Sequence, residues 1–244
     1  MRIVALLSFY DETDEMLRES IGSLQGFADA LVAVDGAYKL YPGGKPSSGK
    51  RSHDVIRDVC QEIGIELNLY VPETVWVGGE VEKREKMFRY GERLASNKAG
   101  DWFFILDGDF VITDHLGARE ALKDVRESVA CVTLDNTTGI SLHPLLFRPY
   151  RGIEVGPAHH HWKLRDGRWL WHPLHGMPKA DLSQKIIVEH RQKDRPQGRA
   201  DAALAYYATR DRAGIEEPGP RSLSRKERLN KRRERRLRAQ KRSI

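Results

Sequence analysis

Cysteine is scarce in this chain: Cys60 and Cys131 are the only two in 244 residues. Two thiols cannot staple a fold, which excludes a disulfide framework and favours a reducing compartment. Long apolar runs are absent as well. The longest, such as Trp102 to Leu106, are strand-sized, whereas a bilayer crossing needs ~20 apolar residues. After the first apolar run come Asp11, Glu12 and Asp14, where a leader's cleavage site would fall. The expectation is a cytoplasmic chain without a secretory leader. No internal repeat is visible. Hydrophobic residues make up 40%, an ordinary globular proportion that excludes wholesale disorder.

The formal charge of +6 hides an asymmetry. Residues 221–244 carry 12 Lys/Arg and two acids, and the preceding 220 residues have a net charge of −4. A slightly acidic body is followed by a strongly basic tail. The tail has sparse leucines and no interleaved aromatics, so neither membrane insertion nor base stacking is indicated. As a solvated, helical or disordered arm it suits an anionic membrane surface or nucleic acid. The first would put the protein at the periphery of the inner membrane face.

The body alternates strand and helix patterns. Residues 2–8, 31–34, 65–71, 101–106 and 129–134 read as strands, and 16–24, 53–63, 80–97 and 116–127 as helices. This alternation predicts an α/β fold with an open, mostly parallel sheet flanked by helices. Ligands of such sheets bind beyond the carboxyl ends of the strands. Ser8, Phe9, Asp35 and Asp107-Gly108-Asp109 all fall there. The predicted division is a ligand-binding α/β half over 1–140, a second half of the same domain over 141–215, and the tail. In the second half seven of the nine histidines fall between His143 and His190. Residues 186–188 read as one more strand and 200–212 as a helix.

Asp107 and Asp109, two apart on an extended chain, point to one side. Hard carboxylate oxygens favour Mg²⁺ or Mn²⁺, and such a metal can hold a departing diphosphate. Asp-Gly is also a hairpin signal, with Phe110-Val111-Ile112 as the returning strand. The unalternated run before it favours a strand covered on both faces.

The segment Trp-Phe-Phe-Ile-Leu-Asp-Gly-Asp resembles the DXD motif of GT-A glycosyltransferases, in particular the family 2-like enzymes. The similarity continues through Leu31 to Gly36, Trp76, Glu82-Lys83-Arg84 and Leu146-Phe147-Arg148, and extends over residues 1 to about 212. It implies a GT-A-like, Rossmann-like fold and transfer of a sugar from a UDP- or GDP-linked donor to a carbohydrate, lipid-linked or protein acceptor. It also implies that Asp35 meets the base, that Asp107 meets the ribose or the metal shell, and that Asp109 ligates Mn²⁺ or Mg²⁺. A histidine from the second half, His190 or His159, would complete the shell.

Lys83 and Arg84 near a helix start can hold the diphosphate; the alternative is a solvated turn offset by Glu80, Glu82 and Glu85. Trp162 and Trp171 can stack on an acceptor sugar or belong to the core. An inverting transfer needs a general base, and Glu154 is the candidate among Glu154, Asp166, Asp181 and His159. Arg191, Arg195 and Arg199 can clamp phosphates or lie on a helix surface. Two other classes stay open. Gly44 to Arg51 nearly spells a P-loop around Lys50, which would make a phosphotransferase. However, Arg51 stands where the magnesium hydroxyl belongs and Pro46 removes an N–H. A non-catalytic binding protein working through its tail is the other.

Overall fold

A computed structural model describes residues 1–95, 100–136, 139–155, 162–171 and 176–212. The elements run in the order β1 (Ile3–Ser8), α1 (Asp14–Gly22), β2 (Ala30–Val34), α2 (Lys50–Ile63), β3 (Glu66–Tyr70), α3 (Gly79–Leu94), β4 (Trp102–Asp107), β5 (Phe110–Asp114), α4 (Ala118–Asp124), β6 (Val129–Asn136), β7 (Gly139–Phe147), β8 (Glu154–Val155), β9 (Trp162–Lys163), β10 (Trp169–Trp171), β11 (Lys179–Asp181), β12 (Ile187–His190) and α5 (Gln197–Arg212).

The main sheet has the order β3-β2-β1-β4-β7-β6-β12-β5, with β11 added beside β6. Its first four strands are parallel. β1, β2 and β4 are the unalternated apolar runs, and Ile3 to Leu7, Ala30 to Val34 and Trp102 to Leu106 are all buried. Layers on both faces explain why every side chain there is apolar, and each large one contributes ~1.5–3 kcal/mol by leaving water. Helix ends follow local chemistry. The Thr13 hydroxyl accepts from Met16 N–H at 3.2 Å to start α1. Gly64, at φ 71°, closes α2 in the left-handed region. On α2, Val55, Ile56, Val59 and Cys60 make the buried stripe.

The Asp107-Gly108-Asp109 corner is neither a simple strand end nor a hairpin. The chain turns there and does re-extend as β5. Yet β4 pairs with β1 and β7, while β5 lies at the far edge beside β12. β7, β11 and β12 all lie at or beyond residue 139 and all join this same sheet. A second, three-stranded sheet consists of β8, β9 and β10. Among the described residues no helix is long and apolar enough to cross a membrane. The basic tail, 221–244, lies outside the described residues.

The order 3-2-1-4 places a topological switch between β1 and β4. Chain growth moves outward from β1 through β2 and β3, then returns to its other side. The last residues of the two strands, Ser8 and Asp107, stand opposite each other in register. A crevice at such a point is where an open α/β sheet receives its ligand.

Candidate functional site

The crevice is present as a cavity of ≈140 Å³. From the body it is lined by Ser8, Phe9, Tyr38, Lys83, Arg84 and Asp107 among others. From the C-terminal segment come Arg195, Arg199, Ala203, Tyr206 and Tyr207. Ser8, Phe9, Lys83, Arg84 and Asp107, expected from sequence to serve one ligand, therefore meet in one place.

Lys83 and Arg84 sit one turn inside α3, which begins at Gly79. Both are buried. Lys83 Nζ donates to the carbonyl oxygens of Phe9 at 2.6 Å and Gly36 at 2.9 Å, tying the ends of β1 and β2 together. Burial pushes its pKa down to about 7, against the pull of Asp35. A neutral amine has two N–H groups, which matches the two carbonyls. The Arg84 guanidinium donates to Asp107 Oδ1 at 2.9 Å. Burial opposes its charge, but Asp107, Tyr38 and Glu80 together outweigh it and raise its pKa further. The solvated-turn alternative does not describe either side chain.

Asp109 is fully buried. His190 Nε2 approaches its Oδ2 to 2.9 Å and an Arg195 guanidinium nitrogen to 2.7 Å. Neither Asp109 oxygen receives an aligned hydrogen bond. Burial pushes the Asp109 pKa up, but His190 and Arg195 together bring it below the usual value. Gly108 is needed here, because a Cβ would lie 2.6 Å from Glu12 Oε1. His143 on β7 feels both Asp107 and His190, and burial lowers its pKa. It was not a sequence candidate, since nothing in its local pattern reveals that β7 inserts beside β4.

The hard carboxylate oxygens of Asp107 and Asp109, and His190 beside Asp109, are the side chains here that a divalent cation would need. In the arrangement described, Arg84 and Arg195 hold those carboxylates. No group of three or more metal-ligating side chains converges among the described residues. Carboxylate oxygens are the donor type Mn²⁺ or Mg²⁺ takes, and Arg195 would have to leave Asp109 to free them. His159, the other histidine candidate, lies outside the described residues.

Asp35 is placed differently. It is fully buried and its carboxylate is saturated by its own chain. Gly36 N–H (2.6 Å), Ser48 N–H (2.8 Å) and Ser48 Oγ–H (2.6 Å) donate to it, and His53 Nε2 is 2.7 Å away. Gly36, at φ 107°, could not carry a side chain, because Pro72 and Trp76 would lie under 3.0 Å from it. Asp35 therefore anchors the 36–53 loop behind the crevice and is not among the residues lining it. Ser48 belongs to the near-P-loop, and Lys50 points outward to Asp54 at 2.7 Å. That loop offers no phosphate cradle.

Trp162 is buried, edge-to-face with Phe147 at 4.4 Å and Phe88 at 5.7 Å. It is a core residue and presents no open face to a sugar. Trp171 is half-buried, with Lys179 Nζ 4.0 Å over its ring. Glu154 pairs with Lys163 at 3.0 Å across β8 and β9 and does not line the cavity.

No family model matches the chain, and no curated protein matches it. Among solved structures, the crystal structure of S. aureus TarS is similar with a TM-score of 0.39 at 14% identity, over 57% of this chain and 22% of that one. The crystal structure of S. aureus TarS 1-349 gives 0.43 at 14% identity, over 61% of this chain and 47% of that one. The chain thus spans less than half the length of either. The fold and site together define an open α/β protein with a charged crevice at its sheet's switch point, and the functional reading rests on that crevice.

Proposed function

We propose that the protein is a glycosyltransferase that takes a sugar from a UDP- or GDP-linked donor held in this crevice. The observation that carries the reading is the junction of Ser8 and Asp107 at the β1–β4 switch, with the buried Arg84 beside it. Arg84 supplies positive charge where a diphosphate would lie, with Lys83 beside it. In a buried site such charge stabilises a leaving diphosphate far more than it would in water.

Mn²⁺ or Mg²⁺ would be held by Asp109, Asp107 and His190. When bound, it would neutralise charge on the diphosphate. Arg84 holds Asp107 in orientation, and Lys83 fixes the loops after β1 and β2. For the general base of an inverting transfer we keep Glu154, which would have to exchange Lys163 for the acceptor hydroxyl. The acceptor is a carbohydrate, a lipid-linked sugar or a protein. Residues 221–244 would hold the enzyme at an anionic surface.

A thermal-shift panel of nucleoside diphosphates, with Mn²⁺ and with EDTA, tests the reading. A ligand at a hundredfold its Kd stabilises by ~2.7 kcal/mol. Metal-dependent stabilisation by UDP or GDP, absent in Asp109→Ala, is the expected result. Stabilisation by ATP alone, lost in Lys50→Ala, would point to a phosphotransferase instead.

A further inference from the structure

We propose that α5 and the residues just before it form a plug that fills the donor site and must leave before the donor can enter. The inference rests on the transferase reading above and adds regulation of the same site.

Three observations carry it. The first is room. A cavity of ≈140 Å³ remains, whereas sites for ligands of nucleotide size usually span ~300–1,000 Å³. The second is what fills the difference. Arg195 lies on Asp109 at 2.7 Å, the place a divalent cation would take. Arg199 is paired with Glu12. The Tyr207 hydroxyl donates to Glu80 Oε1 at 2.9 Å. The Tyr206 ring lies 5.3 Å from Tyr38 and 6.1 Å from Tyr41, as a flat heterocycle would. Arg199, Ala203, Tyr206 and Tyr207 share one helix face, at offsets of four, seven and eight residues.

The third observation is how lightly α5 is anchored. Over 197–209 only Tyr206 is buried, and Leu204 is 69% exposed. A helix with so little buried apolar surface opens at small cost. Its hold is mainly ionic and aromatic, and a metal-bound nucleotide would offer the same groups equivalent partners.

A closed plug lowers apparent affinity by the fraction of molecules that are open. Loosening it should therefore tighten binding. The test is calorimetric titration of UDP and GDP, with Mn²⁺, into the full chain and into Tyr206→Ala and Arg199→Gln. Hydrogen exchange of 197–209 is read with and without nucleotide, and exchange in β1 and β4 reports on global folding. The proposal expects about tenfold tighter binding in at least one well-folded variant. It also expects faster exchange in α5 of the unmodified chain once nucleotide binds. Equal or weaker binding in the variants, with α5 becoming more protected on binding, would overturn the plug and make α5 a working wall of the site. That result would leave the transferase reading standing. No binding of either nucleotide to any form would overturn both.

Discussion

Two buried aspartates follow the parallel strands on either side of β1, and they are held in opposite ways. Asp35, after β2, is held by the loop that immediately follows it, through aligned donors from Gly36 and Ser48 and through His53. Asp109, after β4, faces His190 and Arg195, which lie more than eighty residues further along, and its oxygens receive no aligned hydrogen bond. Burying a charge is costly unless partners satisfy it. Asp35 is satisfied by the fold itself and serves stability. Asp109, buried beside the crevice, is held only by side chains from remote segments. Similar positions in sequence thus carry different functions, and the partners decide which.

The largest expected effect tests the Asp35 side of this contrast. Asp35→Ala strips a buried carboxylate from His53 and from the Ser48 donors. It should destabilise the chain by ~3–5 kcal/mol in urea unfolding. A loss under ~1 kcal/mol would remove the distinction between the two sites.

Next comes Lys83, which ties the ends of β1 and β2 together. Its folded pKa is about 7, below the ordinary lysine value of 10.5. Between those values the unfolded chain binds a proton that the folded chain does not, so folding stability should rise with pH across that window. The slope approaches a tenfold gain in the folding equilibrium per pH unit. Comparing unfolding of the unmodified chain and Lys83→Met at pH 7, 8 and 9 isolates this contribution. An equal slope in both would contradict the assignment.

Asp109→Asn should cost less stability than Asp35→Ala, because the amide keeps a polar side chain beside His190 and Arg195. It should nonetheless abolish metal-dependent stabilisation by UDP or GDP. A severe folding defect would make Asp109 a second structural anchor. The smallest stability effect is expected for Glu154→Gln, where a partly exposed pair with Lys163 is lost, at ~0–1 kcal/mol. If Glu154 is the general base, kcat should fall ~10²–10⁴-fold while nucleotide affinity stays unchanged. Unchanged kcat would remove it from the mechanism.

Much of the fold could be read from the chain. The apolar runs of β1, β2 and β4 and the stripe on α2 follow from period alone, and so does the placing of Asp107 and Asp109 at a strand end. The pairing of Phe110 to Asp114 with β12 could not be read, because strand partners distant in sequence leave no local mark. The same blindness covered His143, the burial of Trp162 and the use of Ser48 and His53 by Asp35.

The sequence by itself determined that this is an open α/β protein with acids after its strands and a basic tail. It also determined a cluster of arginines after His190, since composition and periodicity are local properties. Only the tertiary structure decided which acid is held by its own loop and which by remote side chains, because that depends on how distant segments meet. It alone decided that Arg195, Arg199 and Tyr206 roof the crevice, because the direction in which α5 folds back is set by its contacts with Asp109, Glu12 and Tyr38.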